Sequence, residues 1–257
     1  MTHDRESTAE VWFERRRSGV GPVRLRLVCL PHAGGTAASF RGWASRLPPD
    51  VEVLAVRYPG RQERFDEPCI DSMDDLADGV IRALAPYLDR PLALFGHSMG
   101  AAAAYEIAAR LQERHGVRAD LVAVSGRIAP HLVPPSAVHL DDDESLVAEA
   151  RGLSSQHAAV FDHRALWELV LPPLRADYRL IETYRPEPLT TLRSPLVAYA
   201  GAQDPSFDEA GMRAWAEVAG GSFELTVFPG DHFYLVPQEA ELTRHLTARL
   251  AQVGYTV

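Results

Sequence analysis

Lysine is absent from this chain: all 26 basic residues are arginine, a bias that, with the abundance of alanine, reflects codon usage in a GC-rich genome and carries no chemistry. Cysteine is nearly absent. Cys29 and Cys69 are too few for a disulfide framework or a zinc cluster, and Cys29 lies in an apolar, strand-like run where thiols are usually inert packing. Both are expected to be reduced and structural. Long apolar runs are missing too. The opening MTHDRESTAEVWFERRRSGVG has no apolar core of the seven or more residues an export signal needs. The most apolar stretch, PLALFGHSMGAAAAYEIAA, is interrupted by His97, Ser98 and Glu106, short of the roughly 18 apolar residues of a membrane helix. The expectation is a cytoplasmic protein with no membrane span. A positive balance is lacking as well: the formal charge of −9 argues against a nucleic-acid binder, which normally needs a basic face. There is no internal repeat and no G-x-G-x-x-G, so a dinucleotide site is not expected. Neither a cofactor nor a metal is called for.

What is present fits one large domain over residues 1–257, a length that helix-covered α/β sheets commonly fill without splitting. Short apolar runs at 23–30, 51–56, 91–95, 120–125, 195–200 and 223–228 read as buried strands, with helical periodicity between most of them. Such alternation implies right-handed βαβ crossovers, hence an α/β fold with a mostly parallel sheet and helices on both faces. The alternation breaks between about residues 130 and 190, where Pro130, Pro134 and Pro135 precede the helical stretches DDDESLVAEARGL and HRALWELVLPPLRADYRLIETY. This region reads as an inserted helical lid. Its acidic run, Asp141 to Glu144, reads as a helix cap rather than a metal site, because acids at a helix start meet free N–H groups and the positive end of the macrodipole.

In open parallel sheets, ligands bind at the carboxyl ends of the strands. After the strand at 91–95 comes Gly96-His97-Ser98-Met99-Gly100 and then AAAAYEIAARL. Strand, sharp turn and helix around G-x-S-x-G form a nucleophile elbow, whose glycines permit the tight turn that lifts the serine hydroxyl into the crevice. A serine is a poor nucleophile alone and needs a base with an orienting group. The base candidate is His232, in FPGDHFYLVP after the last strand. His115, His131, His139, His157, His163 and His245 lie in helical or lid segments and His3 in the tail, where solvated roles suit them. The orienting acid is assigned to Asp204, in the loop leaving the strand at 195–200, over Asp208, near a helix start, and Asp231, too close in sequence to His232. The order Ser98, Asp204, His232 is the α/β-hydrolase order. The oxyanion donors expected are the amides of Met99, after the nucleophile, and Ala33, in the loop Pro31-His32-Ala33-Gly34-Gly35.

Together, LPHAGG at 30–35, RYPGR at 57–61, GHSMGA at 96–101, GAQD at 201–204 and GDHF at 230–233 resemble the type II thioesterases that accompany polyketide and nonribosomal peptide synthases. The motifs span nearly the whole chain, and PHAGG with YPGR is more specific than the elbow. The resemblance implies an α/β-hydrolase fold with a helical lid, and hydrolysis of acyl thioesters from the phosphopantetheine arms of acyl and peptidyl carrier proteins. Ser98, Asp204 and His232 match the family's triad, and Ala33 and Met99 its oxyanion positions. One departure is Asp231, where a second glycine commonly precedes the family's histidine; a carboxylate there could compete with Asp204. Carrier proteins are typically acidic, as is this chain, so docking would need a local basic patch, for which Arg57, Arg61 and Arg64 are candidates. Rival readings are a serine esterase or lipase on oxoesters, an acyltransferase, and a non-catalytic binding protein on a hydrolase fold, the last predicting a broken triad or elbow.

Overall fold

Seven strands form a single sheet in the order β1-β3-β2-β4-β5-β6-β7 in the computed structural model, which describes residues 9–153 and 157–254. The strands are β1 (Phe13–Arg16), β2 (Leu25–Leu30), β3 (Val51–Val56), β4 (Leu92–His97), β5 (Leu121–Ser125), β6 (Leu196–Gly201) and β7 (Phe223–Phe228). All neighbours pair in parallel except β1, which runs antiparallel to β3. The six strands expected from apolar runs are present, but β7, expected to be buried, is the other edge of the sheet and only its Phe228 is buried. The seventh, β1, is FERR, whose only buried residue is Phe13. An edge strand held on one side needs no continuous apolar run. Its Arg15 instead reaches across to Glu52 of β3 at 2.7 Å.

The helices are α1 (Met73–Leu84), α2 (Met99–His115), α3 (Asp143–Leu153), α4 (Trp167–Thr183), α5 (Glu209–Arg213) and α6 (Glu239–Gln252). Ala101 to Ala104 of α2 are fully buried, and their small side chains let this helix lie close against the sheet. One apolar cluster includes Val28, Leu94, Val124 and Leu76 of α1; the opposite one includes Leu27, Phe95, Trp43 and Leu246 of α6. Alternate residues of β2 and β4 thus feed the two cores, as a sheet buried on both faces requires.

Because β2 is followed outward by β3 on one side and by β4 on the other, the connections diverge between β2 and β4. The loops leaving these strands therefore part at their carboxyl ends and open a crevice, the usual ligand position in such sheets. The stretch between β5 and β6 carries α3 and α4. Its residues Leu146, Val147, Leu171 and Leu174 form a third buried cluster apart from the two sheet cores. The acidic run caps α3: Asp142 accepts from the Ser145 amide at 2.8 Å, while Asp143 pairs with Arg175 and Glu144 with Arg164. Among the described residues no metal-ligating cluster is found, and no helix is long and apolar enough to cross a membrane. His3 and the side chain of His157 lie outside the described residues.

Candidate active site

Ser98 stands between β4 and α2 with φ 56° and ψ −117°, a backbone conformation a non-glycine residue adopts only where its surroundings compel it. Two glycines make the turn possible. A Cβ on Gly96 would sit 1.8 Å from the Gly100 carbonyl oxygen, and one on Gly100 would sit 2.1 Å from that of Leu30. The Ser98 amide donates to the Ser125 carbonyl at 2.7 Å, tying the elbow to the neighbouring strand.

His232 follows β7 and is buried. Its Nδ1 lies 2.7 Å from Asp204 Oδ2, in the loop after β6, and the other oxygen of Asp204 accepts from the amide and hydroxyl of Ser206 at 2.8 and 2.6 Å. Burial alone would raise the Asp204 carboxyl. The hydrogen bond from His232 and its charge, with the two bonds from Ser206, outweigh burial and hold it below its ordinary value. An ionised acceptor fixes the proton on Nδ1 and leaves Nε2 as the basic nitrogen. That Nε2 is buried with no hydrogen-bond partner among the described residues, so the Ser98 hydroxyl is not yet bonded to it. Such contacts often tighten only when substrate is bound.

Ser98 and His232 line one cavity of about 580 Å³, together with Ala33, Met99, Val170 and Leu174. Met99 opens α2, so its amide has no intrahelical acceptor, and neither it nor the Ala33 amide donates to any described residue. The rival acids are occupied elsewhere. Asp208 caps α5 through the amides of Ala210 and Gly211, and Asp231 accepts from the Phe233 amide at 2.8 Å. The carboxylate beside the histidine thus closes its own turn and does not compete with Asp204.

Several features escaped the sequence reading. His97, within the elbow, bonds to the Ser125 hydroxyl at 2.9 Å, which in turn meets the Tyr234 hydroxyl at 2.6 Å. This buried chain packs behind His232, with the two imidazole centroids 4.9 Å apart. Arg127 also lines the cavity, its guanidinium pulled down to about 10 by burial and by nearby Arg185. Asp177 of α4 bonds to the loop after β2. One expectation is corrected. Arg61 and Arg64 are only 8% and 6% exposed, the first locked to Asp177 and the second to Glu67 and the Arg57 carbonyl over the Trp12 ring. Arg57 reaches the Glu10 carbonyl. Two of the three arginines are interior struts, so the three make no basic docking patch.

Sheet order, elbow and the loop placement of acid and histidine together define an α/β-hydrolase with a serine at its elbow. Comparison with known proteins narrows this. The family described as "Thioesterase domain" matches residues 25–250, and the chain belongs to that family of thioester hydrolases. It is 44% identical over 227 residues to Thioesterase PikA5 of Streptomyces venezuelae, covering 88% of this chain and 81% of the relative. It is 31% identical over 250 residues to the gramicidin S biosynthesis protein GrsT of Aneurinibacillus migulanus, covering 96% of each. Among solved structures, the type II thioesterase BorB from the borrelidin biosynthetic cluster superposes with a TM-score of 0.84 at 40% identity, over 93% of this chain and 98% of that one.

Proposed function

We propose that this protein is a type II thioesterase that hydrolyses stalled or aberrant acyl groups from the phosphopantetheine arms of carrier proteins in polyketide or nonribosomal peptide biosynthesis. The observation that carries the reading is the Asp204–His232 pair, bonded at 2.7 Å, with its free Nε2 in the cavity that also holds Ser98. The gramicidin S biosynthesis protein GrsT and the type II thioesterase BorB, matched over 96% and 98% of their own lengths, support the pathway.

The chemistry follows from these groups. His232 Nε2 takes the Ser98 proton as Oγ attacks the thioester carbonyl, and the Met99 and Ala33 amides receive the negative charge on the tetrahedral oxygen. The C–S bond breaks, the imidazolium returns its proton to the departing pantetheine sulfur, and the acyl group remains as an ester on Ser98. Water, deprotonated by the same Nε2, attacks that ester; as the acyl C–O bond breaks, the imidazolium returns the proton to Ser98 Oγ and the free acid is released. Asp204 holds the tautomer and stabilises the cation at each half-reaction. The steps need side chains, two amides and water. The insertion at about 130–190, with α3 and α4, serves as the lid of the acyl chamber, and the role places the enzyme in the cytoplasm beside its carriers.

Steady-state hydrolysis of one acyl group presented as carrier thioester, N-acetylcysteamine thioester and p-nitrophenyl oxoester tests the reading. Preference for the carrier thioester, lost by on the order of 10⁶ in Ser98→Ala, is the expected result. Preference for the oxoester would move the function to an esterase, and turnover surviving Ser98→Ala would refute the nucleophile.

A further inference from the structure

We infer that Asp177 and Arg61 form a positioning pair that holds the Ala33 amide in place as oxyanion donor and couples it to the lid helix α4; this rests on the thioesterase reading above.

The loop after β2 has few bonds of its own. The Gly35 amide donates to the His32 carbonyl at 2.9 Å, and Gly34 has φ +73° while Ala33 does not take a positive φ. A four-residue turn with glycine left-handed at its third position has the type II pattern. One internal bond does not fix where the turn points. Three further anchors come from outside. The Tyr58 hydroxyl donates to the Pro31 carbonyl at 3.0 Å, Arg61 donates to the Gly35 carbonyl at 3.2 Å, and the Gly34 amide donates to Asp177 Oδ2 at 2.7 Å. Arg61 then grips Asp177 with both terminal nitrogens, at 2.6 and 2.8 Å, the fork geometry that fixes angle as well as distance. Both residues are buried, Asp177 at 2% exposure. The Ala33 amide, between these anchored groups, donates to no described residue.

Asp177 sits on α4 one turn after Leu174, whose Cδ1 would lie 3.0 Å from a Cβ on Gly34. The same helix face therefore packs on the loop and bonds to it. Ala33 itself packs against the small core of the lid. A displacement of α4 removes the acceptor of the Gly34 amide and rotates the peptide that adjoins the oxyanion donor. A donor misplaced by about 1 Å can cost on the order of 100-fold in rate, without changing how the acyl chain is held.

The test compares Asp177→Ala, Asp177→Asn and Arg61→Lys with wild type on a propionyl N-acetylcysteamine thioester, alongside binding of a propyl trifluoromethyl ketone, whose adduct with Ser98 carries the tetrahedral oxyanion. The account expects Asp177→Ala to lower kcat by about 10- to 100-fold with KM within about threefold, and to weaken the ketone in proportion to kcat. Asp177→Asn keeps an oxygen for Gly34 and should recover part of the loss. Arg61→Lys keeps the charge, and if the Asp177 variants do not fold it alone decides: kcat and ketone affinity fall together, or the proposal fails. A folded Asp177→Ala with wild-type kcat, or a loss confined to KM with the ketone bound as before, overturns it. If wild type itself shows no Ser98-dependent thioester turnover, the functional reading fails instead; the ketone series still decides the positioning role.

Discussion

At the residue scale, the site depends on which carboxylate meets His232. Replacing Asp204 by Asn preserves shape but lets the amide stabilise the wrong tautomer, and kcat should fall on the order of 10⁴; equal damage from Asp208→Asn or Asp231→Asn would contradict the assignment. The same residue carries a pH signature. Its carboxyl is held below its ordinary value in the folded state, so the stabilisation is fully present above the unfolded value of about 3.9 and is lost as pH falls through the folded value. Urea denaturation should therefore show the stability advantage of wild type over Asp204→Asn shrinking with acidification, and a constant advantage would show that the ionised Asp204 carboxylate is not its source. Asp204 and His232 were legible in the sequence because each follows a recognisable apolar strand. Asp177 was not. It lies mid-helix in a region whose periodicity announces only a helix, and its partner Arg61 is 116 residues away, a pairing that no local pattern encodes. Arg61 and Arg64 were misread for the related reason that arginines are usually exposed and burial is a tertiary fact.

At the scale of elements, the elbow and the helix it launches make contrasting demands on two glycines. Gly100 faces the Leu30 carbonyl at 2.1 Å from where a Cβ would stand, whereas Gly116, at the far end of α2, has φ +65° and open space around it. Gly116→Ala should cost about 1–2 kcal/mol for the left-handed conformation and leave turnover unchanged. Gly100→Ala must push α2 off the end of β2, so a loss of about 100-fold or more in kcat is expected, read from kinetics on protein whose folding has been checked by circular dichroism. Comparable kinetics for the two variants would mean that the packing of α2 against β2 does not set the nucleophile. Six strands were visible as apolar runs, but β1 was not, because FERR supplies one buried side chain and is held by Arg15 on Glu52. Helices α3 and α4 were anticipated with their ends a few residues off; Pro172 and Pro173 lie inside α4, where chain pattern alone suggests a break.

At the scale of the molecule, two large cores clamp the sheet while the α3–α4 insertion has a small core of its own. Leu146→Ala empties that small core. Substitutions of this kind cost about 2–5 kcal/mol, and here the cost should fall on the insertion: hydrogen exchange should speed in α3 and α4 while the amides of β4 and β5 keep their protection. Uniform loss of protection would mean that insertion and sheet unfold as one. The central claim, that Ser98 is the nucleophile served by His232 and Asp204, is tested most directly by labelling with an alkyl fluorophosphonate, followed by peptide mass mapping and parallel thioester assay. The account predicts one label per chain on the peptide containing Ser98, turnover falling in step with labelling, and no label in Ser98→Ala. A label on another residue, or thioester turnover retained by fully labelled protein, would contradict it.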